Sequence, residues 1–405
     1  MTRPAMTFDP VLGDLGLVTD PERAAAVLAD RLPAIEVRSA RRRDTKYRPG
    51  ERCEAVYELE PGGHIAVITV TADGPAARLL DDDPGLPALA EALDPARMTP
   101  RMAAVVPGLT ACEPVPVRYK PGVRCVVRYR LGATDGPVEL YGKLQADGVE
   151  DDLATIEGLR RAAATDPGMP AVLPVTAAWP ELGMLAQPAV ERGAELHDRA
   201  FDPAVGEDER ERLLHAAGRC LAALHRAALP GLTSVVQADD LAELHGYLAP
   251  VRQADPDLAK AYEAVLDGLE RAGREGAAQA PATGHGAMRT DQFLIGADGG
   301  LVLIDLDGVC LAEPARDLGN LLAYLDWKAI RRPDGAAWAG RAGAAFLAGY
   351  ETELPVRADR VALYRAGSLL KIAGRRYRSL TVREWPLVPR LVDAAGDLID
   401  KGGRT

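Results

Sequence analysis

Two stretches in the C-terminal part of the chain concentrate groups that can ligate, donate or accept. One runs His285-Gly286-Ala287-Met288-Arg289-Thr290-Asp291-Gln292. The other runs Ile304-Asp305-Leu306-Asp307 and continues through Glu313-Pro314-Ala315-Arg316-Asp317-Leu318. Asp305 closes an apolar strand, LVLI, where its carboxylate can offer an oxygen to a hard cation such as magnesium. The same residue could simply open the DLDG reversal. Neither stretch offers a hydrolytic nucleophile: there is no G-x-S-x-G, and His285 has no serine or cysteine beside it. The five cysteines are scattered without CxxC spacing, so they read as small buried residues of a reducing, cytoplasmic protein rather than as zinc ligands or disulfides.

The elements that must position these residues follow from local pattern. KYRPGERCEAVYEL, from Lys46, and RYKPGVRCVVRYRL, from Arg118, are two versions of one phrase. In the second, Cys125, Val127, Tyr129 and Leu131 alternate onto one face of a strand, and Arg124, Arg128 and Arg130 onto the other, with Val126 the apolar exception. EPVPVRYK precedes it, Pro121-Gly122 suits a tight reversal, and VELYGKL follows a second turn, which makes a three-stranded antiparallel meander. The first copy repeats the plan and ends on HIAVITV. Thr69 there takes the place of Lys143, one of seven lysines in the chain. AVLPVTAAWPELGMLAQPAV reads as two strands about a proline-containing turn. From about residue 207 the text is helical and alanine-rich, with one β interruption at 292–308. This is an α+β, bilobal plan: residues 1–105 a cap domain carrying the degenerate hairpin, 106–190 a β-rich lobe, and 191–405 a helical lobe.

The two chemical stretches resemble the catalytic segments of the aminoglycoside phosphotransferase family, small-molecule kinases of protein-kinase-like fold. Their pattern is H-G-D-x-x-x-x-N, a hairpin, I-D-x-(D or E), and D-P-A-R-D-L. The resemblance covers roughly residues 111–350 and leaves residues 1–100 outside. It implies ATP and Mg2+ as cofactors, with Gln292, where the family usually has Asn, and Asp305 as metal ligands. It implies that Lys143 neutralises the α- and β-phosphates and pairs with an acidic residue on the next helix, Glu157 by position, or else Glu150. Lys120, Gly122 and Arg124 would cover the phosphates through backbone amides and two cations. Adenine would meet backbone groups from Gln187 to Val190. Asp317 would bond backbone amides and orient the catalytic loop, and His285 would be a scaffold residue of that loop more than a base.

One position departs from the pattern. The aspartate that orients and deprotonates the acceptor hydroxyl is Ala287, and losing a general base costs about 10²–10⁴ in rate. Asp291, next to Arg289, could serve as a surrogate. The reaction could run with little help from a base. Or the chain could bind nucleotide without transferring phosphate, as a pseudokinase. The leading expectation is transfer of the γ-phosphate to a hydroxyl of a small molecule, an amino sugar, aminoglycoside or related natural product, with Asp326, Trp327, Glu351 and Glu353 as acceptor-binding candidates. A net charge of -11 argues against a nucleic-acid partner. No apolar run is long enough to span a membrane, and the N-terminal stretch lacks the apolar segment of a signal peptide. The sequence is silent on oligomeric state.

Overall fold

The computed structural model describes residues 8–190 and 194–402. Two compact units emerge, one from residues up to 153, 174–189 and 377–382, the other from 154–173, 190–376 and 383 onward.

In the first unit, after short elements between residues 8 and 19, helix α1 (Pro21–Arg31) begins at a proline and is capped by Asp20, whose side chain accepts from the Glu22 and Arg23 amides. Strands β1 (Ser39–Arg48), β2 (Arg52–Glu60), β3 (Ile65–Thr71) and β4 (Gly74–Leu79) form one antiparallel meander. Its fourth strand, GPAARL, was not expected; a short strand without clean alternation carries little signal. Helices α2 (Leu89–Leu93) and α3 (Pro95–Ala103) lead into a second sheet, whose strands are β5 (Leu109–Lys120), β6 (Arg124–Ala133), β7 (Val138–Gln145), β8 (Ala177–Trp179) and β9 (Met184–Pro188), in the order β8-β9-β7-β6-β5. The first sheet does not extend the second. Instead Val56 and Val67 of the first join Met98, Met102, Val127, Tyr129 and Met184 in one buried cluster.

The duplicated phrase folds twice in the same way. Glu54 faces Thr69 across β2–β3 as Val126 faces Lys143 across β6–β7, so Thr69 holds the register position of Lys143. Cys125, Val127, Tyr129 and Leu131 are buried, as the alternation requires. Both turn glycines, Gly50 and Gly122, adopt positive φ (70° and 66°).

Each hairpin is also fastened by an aspartate outside the phrase. Asp9 accepts from the Tyr47 hydroxyl at 2.6 Å and the Gly50 amide at 3.0 Å. Asp83 accepts from the Tyr119 hydroxyl at 2.5 Å and the Gly122 amide at 2.7 Å. The Tyr-x-Pro-Gly wording is therefore the donor half of a buried carboxylate lock. Burial alone would raise the Asp9 carboxyl, but bonds from Tyr47, Leu12, Gly50 and Val11 outweigh it and bring the pKa down to about 2. The charged form is thus favoured by folding. Its contribution, roughly 2 kcal/mol, is present above the ordinary aspartate pKa and is lost as pH falls from about 4 toward 2. Urea midpoints of wild type and Asp9→Asn should differ clearly at pH 7 and draw together as pH falls toward 2; a gap that stays constant with pH would count against the lock.

Helix α4 (Glu150–Thr165) connects the units in sequence. The second unit contains β10 (Ala194–Glu195), α5 (Leu196–Phe201), α6 (Glu207–Arg226), α7 (Gln237–Ala254), α8 (Pro256–Glu275), β11 (Ala282–Gly284), β12 (Phe293–Ile295), β13 (Leu301–Leu303), β14 (Cys310–Ala312), α9 (Pro314–Ala329), α10 (Gly335–Glu351), α11 (Ala358–Arg378) and α12 (Val388–Gly402). Two small β pairs matter for the site: β11 with β14, and the hairpin β12–β13. Among the described residues no helix is long and apolar enough to cross a membrane.

Candidate functional site

The loop 285–289 leaves β11 and is gripped from one side by the first turns of α9. Asp317, fully buried, accepts from the backbone amides of His285 (2.6 Å) and Gly286 (3.0 Å) and lies 3.3 Å from His225 Nε2. Burial opposes its ionisation, but the bond from His225 and the nearby positive groups hold its carboxyl below the usual range. Arg316 donates to the Gly286 carbonyl (2.8 Å) and forks onto Asp240 of α7. Asn320 donates to the Met288 carbonyl at 2.8 Å. Three residues on one helix end thus fix three consecutive parts of the loop. Gly286 is needed there: its φ is 81°, and a Cβ would sit 2.0 Å from the Gly308 carbonyl oxygen.

His285 is wholly buried. Its Nε2 lies 3.0 Å from the Ile304 carbonyl, which can only accept, so the proton sits on Nε2. His285 therefore ties the loop to the residue that follows β13. Asp240 and Asn320 escaped sequence reasoning. Asn320 had a signal, since it follows Asp317 by one helical turn; Asp240, on another helix, had none.

The remaining groups gather at the open end of the β12–β13 hairpin. Gln292 enters it and Asp305 leaves it, and the Ile304 amide donates to the Gln292 carbonyl at 3.0 Å. Asp291 Oδ1 accepts from Arg289 Nε and from Gln292 Nε2, both at 2.8 Å. Only the NH₂ end of an amide can donate to a carboxylate, so this bond fixes Gln292 with Oε1 turned away. That oxygen is buried and has no hydrogen-bond partner among the described residues. The Arg289 guanidinium also lies 5.2 Å from the Tyr324 ring centroid. Asp305 occupies the left-handed region, φ 59° and ψ 54°, a strained conformation of the kind kept at functional sites. An orphaned buried amide oxygen at the start of a hairpin, with a carboxylate on the strained turn that ends it, fits a hard cation with few protein ligands. Magnesium is such an ion, completing its octahedron with phosphate oxygens and waters. Among the described residues no group of three or more His, Cys, Asp or Glu is arranged to hold a metal.

Two titratable groups border Asp291. Burial, then repulsion from Asp198 and Asp291, raises the Glu195 pKa. Burial, then Lys328, lowers that of His197, whose Nδ1 lies 2.9 Å from the Thr290 hydroxyl.

In the first unit Lys143 stands on β7 with its ammonium 3.0 Å from Asp152, which also accepts from Gln145 at 2.9 Å. This corrects the expected partner: Glu157 is exposed, and five residues along a helix place it about 140° around α4 from Asp152. In the turn between Lys120 and Arg124, the Gly122 amide, expected to face a phosphate, is committed to Asp83. Gln187 pairs with Tyr141 across β9–β7, and Val190 follows two residues beyond that strand.

An antiparallel sheet unit carrying a paired strand lysine, and a helical unit carrying a braced loop followed by a short hairpin, are the parts of a protein-kinase-like fold. The chain belongs to the phosphotransferase enzyme family (APH), whose pattern matches residues 128–356. Among solved structures it is similar to a spectinomycin phosphotransferase in complex with ADP and spectinomycin, at 12% identity over 75% of this chain and 97% of that one, with a TM-score of 0.51. An amicoumacin kinase in complex with AMP-PNP and Ca2+ gives 16%, 76%, 95% and 0.52. The choline kinase LicA from Streptococcus pneumoniae gives 14%, 74%, 98% and 0.50. At these identities the likeness is one of fold. No curated protein sequence matches the chain.

Proposed function

We propose that the protein transfers the γ-phosphate of ATP to a hydroxyl group of a small molecule. The observation that carries this reading is the buried, unpartnered Gln292 Oε1 at the entry to the hairpin that Asp305 leaves. In the reaction the acceptor oxygen forms a bond to the γ-phosphorus, the bond from that phosphorus to the β-bridging oxygen breaks, ADP leaves, and the hydroxyl proton passes to a base or to water. Magnesium, when bound, neutralises phosphate charge. Gln292 and Asp305 would hold it, Lys143 would meet the α- and β-phosphates, and the α9 side chains hold the loop still. Thermal unfolding with and without Mg·ATP tests the reading, together with ADP release in the presence of acceptor alcohols. No stabilisation by Mg·ATP would sink it.

Ala287 supports a second reading, a nucleotide-binding protein that transfers nothing; stabilisation by Mg·ATP without turnover on any alcohol would establish it. Asp291 bears on the difference. Its Oδ1 is occupied by Arg289 and Gln292, so its principal task in this reading is to aim the Gln292 amide. Asp291→Ala should lower turnover about 10–100-fold and raise the magnesium concentration needed for half-maximal rate. Were Asp291 the base instead, the variant would lose the acidic limb of the pH profile and leave the magnesium requirement alone.

A further inference from the structure

The first hairpin has Thr69 in the register position of Lys143, but its turn end carries other cations. Arg48 and Arg52 stand directly opposite each other across β1–β2, beside the Pro49-Gly50 turn. Lys46, two residues before Arg48, shares their face, because the Tyr47 side chain between them is buried on the other. Like charges directly opposed across a strand pair destabilise it. The second hairpin repeats the feature, with Lys120 opposite Arg124. Along β2 and β3 the same face of the first hairpin carries Val56 and Val67 into the cluster that the second sheet shares, and Lys46 on that face is half-buried.

Carboxylates do not balance this group. Glu54 holds the register position opposite Lys46, yet among the described residues the side chains of Lys46 and Arg52 make no hydrogen bond and no ion pair. Glu51 lies 3.5 Å from Arg48, both exposed. Asp9 and Asp83 are buried and bonded by the turn amides and tyrosines, and Asp83 also has Arg78 at 3.5 Å. Burial, then repulsion from Arg378, Arg48, Lys120 and Arg52, lowers the Lys46 pKa. Arg378 comes from the segment 377–382, which belongs to the first unit and is fixed to β1 by a bond from Arg42 to the Leu380 carbonyl at 3.2 Å. Separate stretches of the chain thus bring cations to one place, although the net charge is -11. A half-buried ammonium among cations destabilises the fold, and a bound anion would offset that.

We propose that the turn end of the first hairpin binds an anion bearing phosphoryl groups, with Lys46 and Arg52 as its ligands and Arg48, Lys120 and Arg378 around them. A guanidinium forks onto two phosphoryl oxygens, and an ammonium adds a compact point charge. The proposal needs no phosphotransfer. Lys120 is common to this site and to the turn expected to cover nucleotide phosphates; Lys46 and Arg52 belong to this site alone. The degenerate copy of the phrase thereby has a task of its own. Such an anion has two sources, an inorganic oligophosphate or the phosphate tail of a nucleotide.

Calorimetric titration of the full chain with tripolyphosphate, and separately with ATP, both without magnesium, tests the site. Tripolyphosphate should bind saturably, and the double variant Lys46→Met with Arg52→Gln should weaken it about tenfold or more. Lys46→Arg, which keeps the charge, should keep the binding. Without ligand the double variant should melt no lower than wild type, because repulsion is removed with the charges; a clear fall in Tm would overturn the reading of these cations as ligands. ATP binding that weakens in parallel and excludes tripolyphosphate identifies a nucleotide tail as the source. ATP binding that the double variant leaves unchanged identifies the inorganic anion. No saturable binding of tripolyphosphate, or equal binding by wild type and the double variant, overturns the proposal.

Discussion

Asp305→Asn should reduce turnover by about 10³-fold with little change in stability. The substitution is clean for a conformational reason. Asp305 is one of two non-glycine residues at positive φ among the described residues, and asparagine accepts the left-handed region as readily as aspartate does. The backbone turn between β13 and the following 3₁₀ segment therefore survives, and only the negative charge is removed. A neutral amide binds magnesium far more weakly than a carboxylate, so the loss should appear both in the rate at saturating nucleotide and as a smaller stabilisation by Mg·ATP than wild type shows. Manganese, which tolerates nitrogen and neutral oxygen donors better, should restore part of the rate. Turnover within tenfold of wild type would remove Asp305 from the metal site.

Asp317→Ala should have the largest effect on stability, about 3–5 kcal/mol. The carboxylate is buried and serves three groups: the His285 and Gly286 amides and the His225 ring, whose other nitrogen bonds the Tyr350 hydroxyl at 2.8 Å. Alanine leaves two buried backbone N–H groups without partners, each costing about 1–3 kcal/mol, and opens a small void. For a unit of this size the loss corresponds to a fall in Tm of roughly 6–20 °C. Asp317→Asn should fall between, since its amide offers one acceptor oxygen and presents a donor to groups that also donate. Calorimetry of both variants checks the order; an alanine variant melting within 2 °C of wild type would show that the loop is held by Arg316 and Asn320 alone.

These variants probe parts of the protein that were legible to different degrees. The hairpin repeat was readable because each of its signals is local. Alternation places Cys125, Val127, Tyr129 and Leu131 inward, Pro-Gly makes the reversal, and counting from the turn puts Thr69 and Lys143 in one register position. The loop 285–292, the hairpin after it and the role of Asp317 were readable for the same reason, together with the resemblance of their order to a known pattern.

What the sequence by itself determined, then, was the class of chemistry, the order of its parts and the vacancy of a carboxylate at Ala287. The tertiary structure decided which groups meet. It gave Lys143 to Asp152 rather than Glu157, because helix phase and not proximity in the chain selects the facing side chain. It closed the two hairpins on Asp9 and Asp83, 38 and 36 residues before their tyrosines. It committed the Gly122 amide to Asp83 and set Asp240 against Arg316. Such pairings form between segments far apart in the chain, where packing of whole elements fixes the partner and no local period records it.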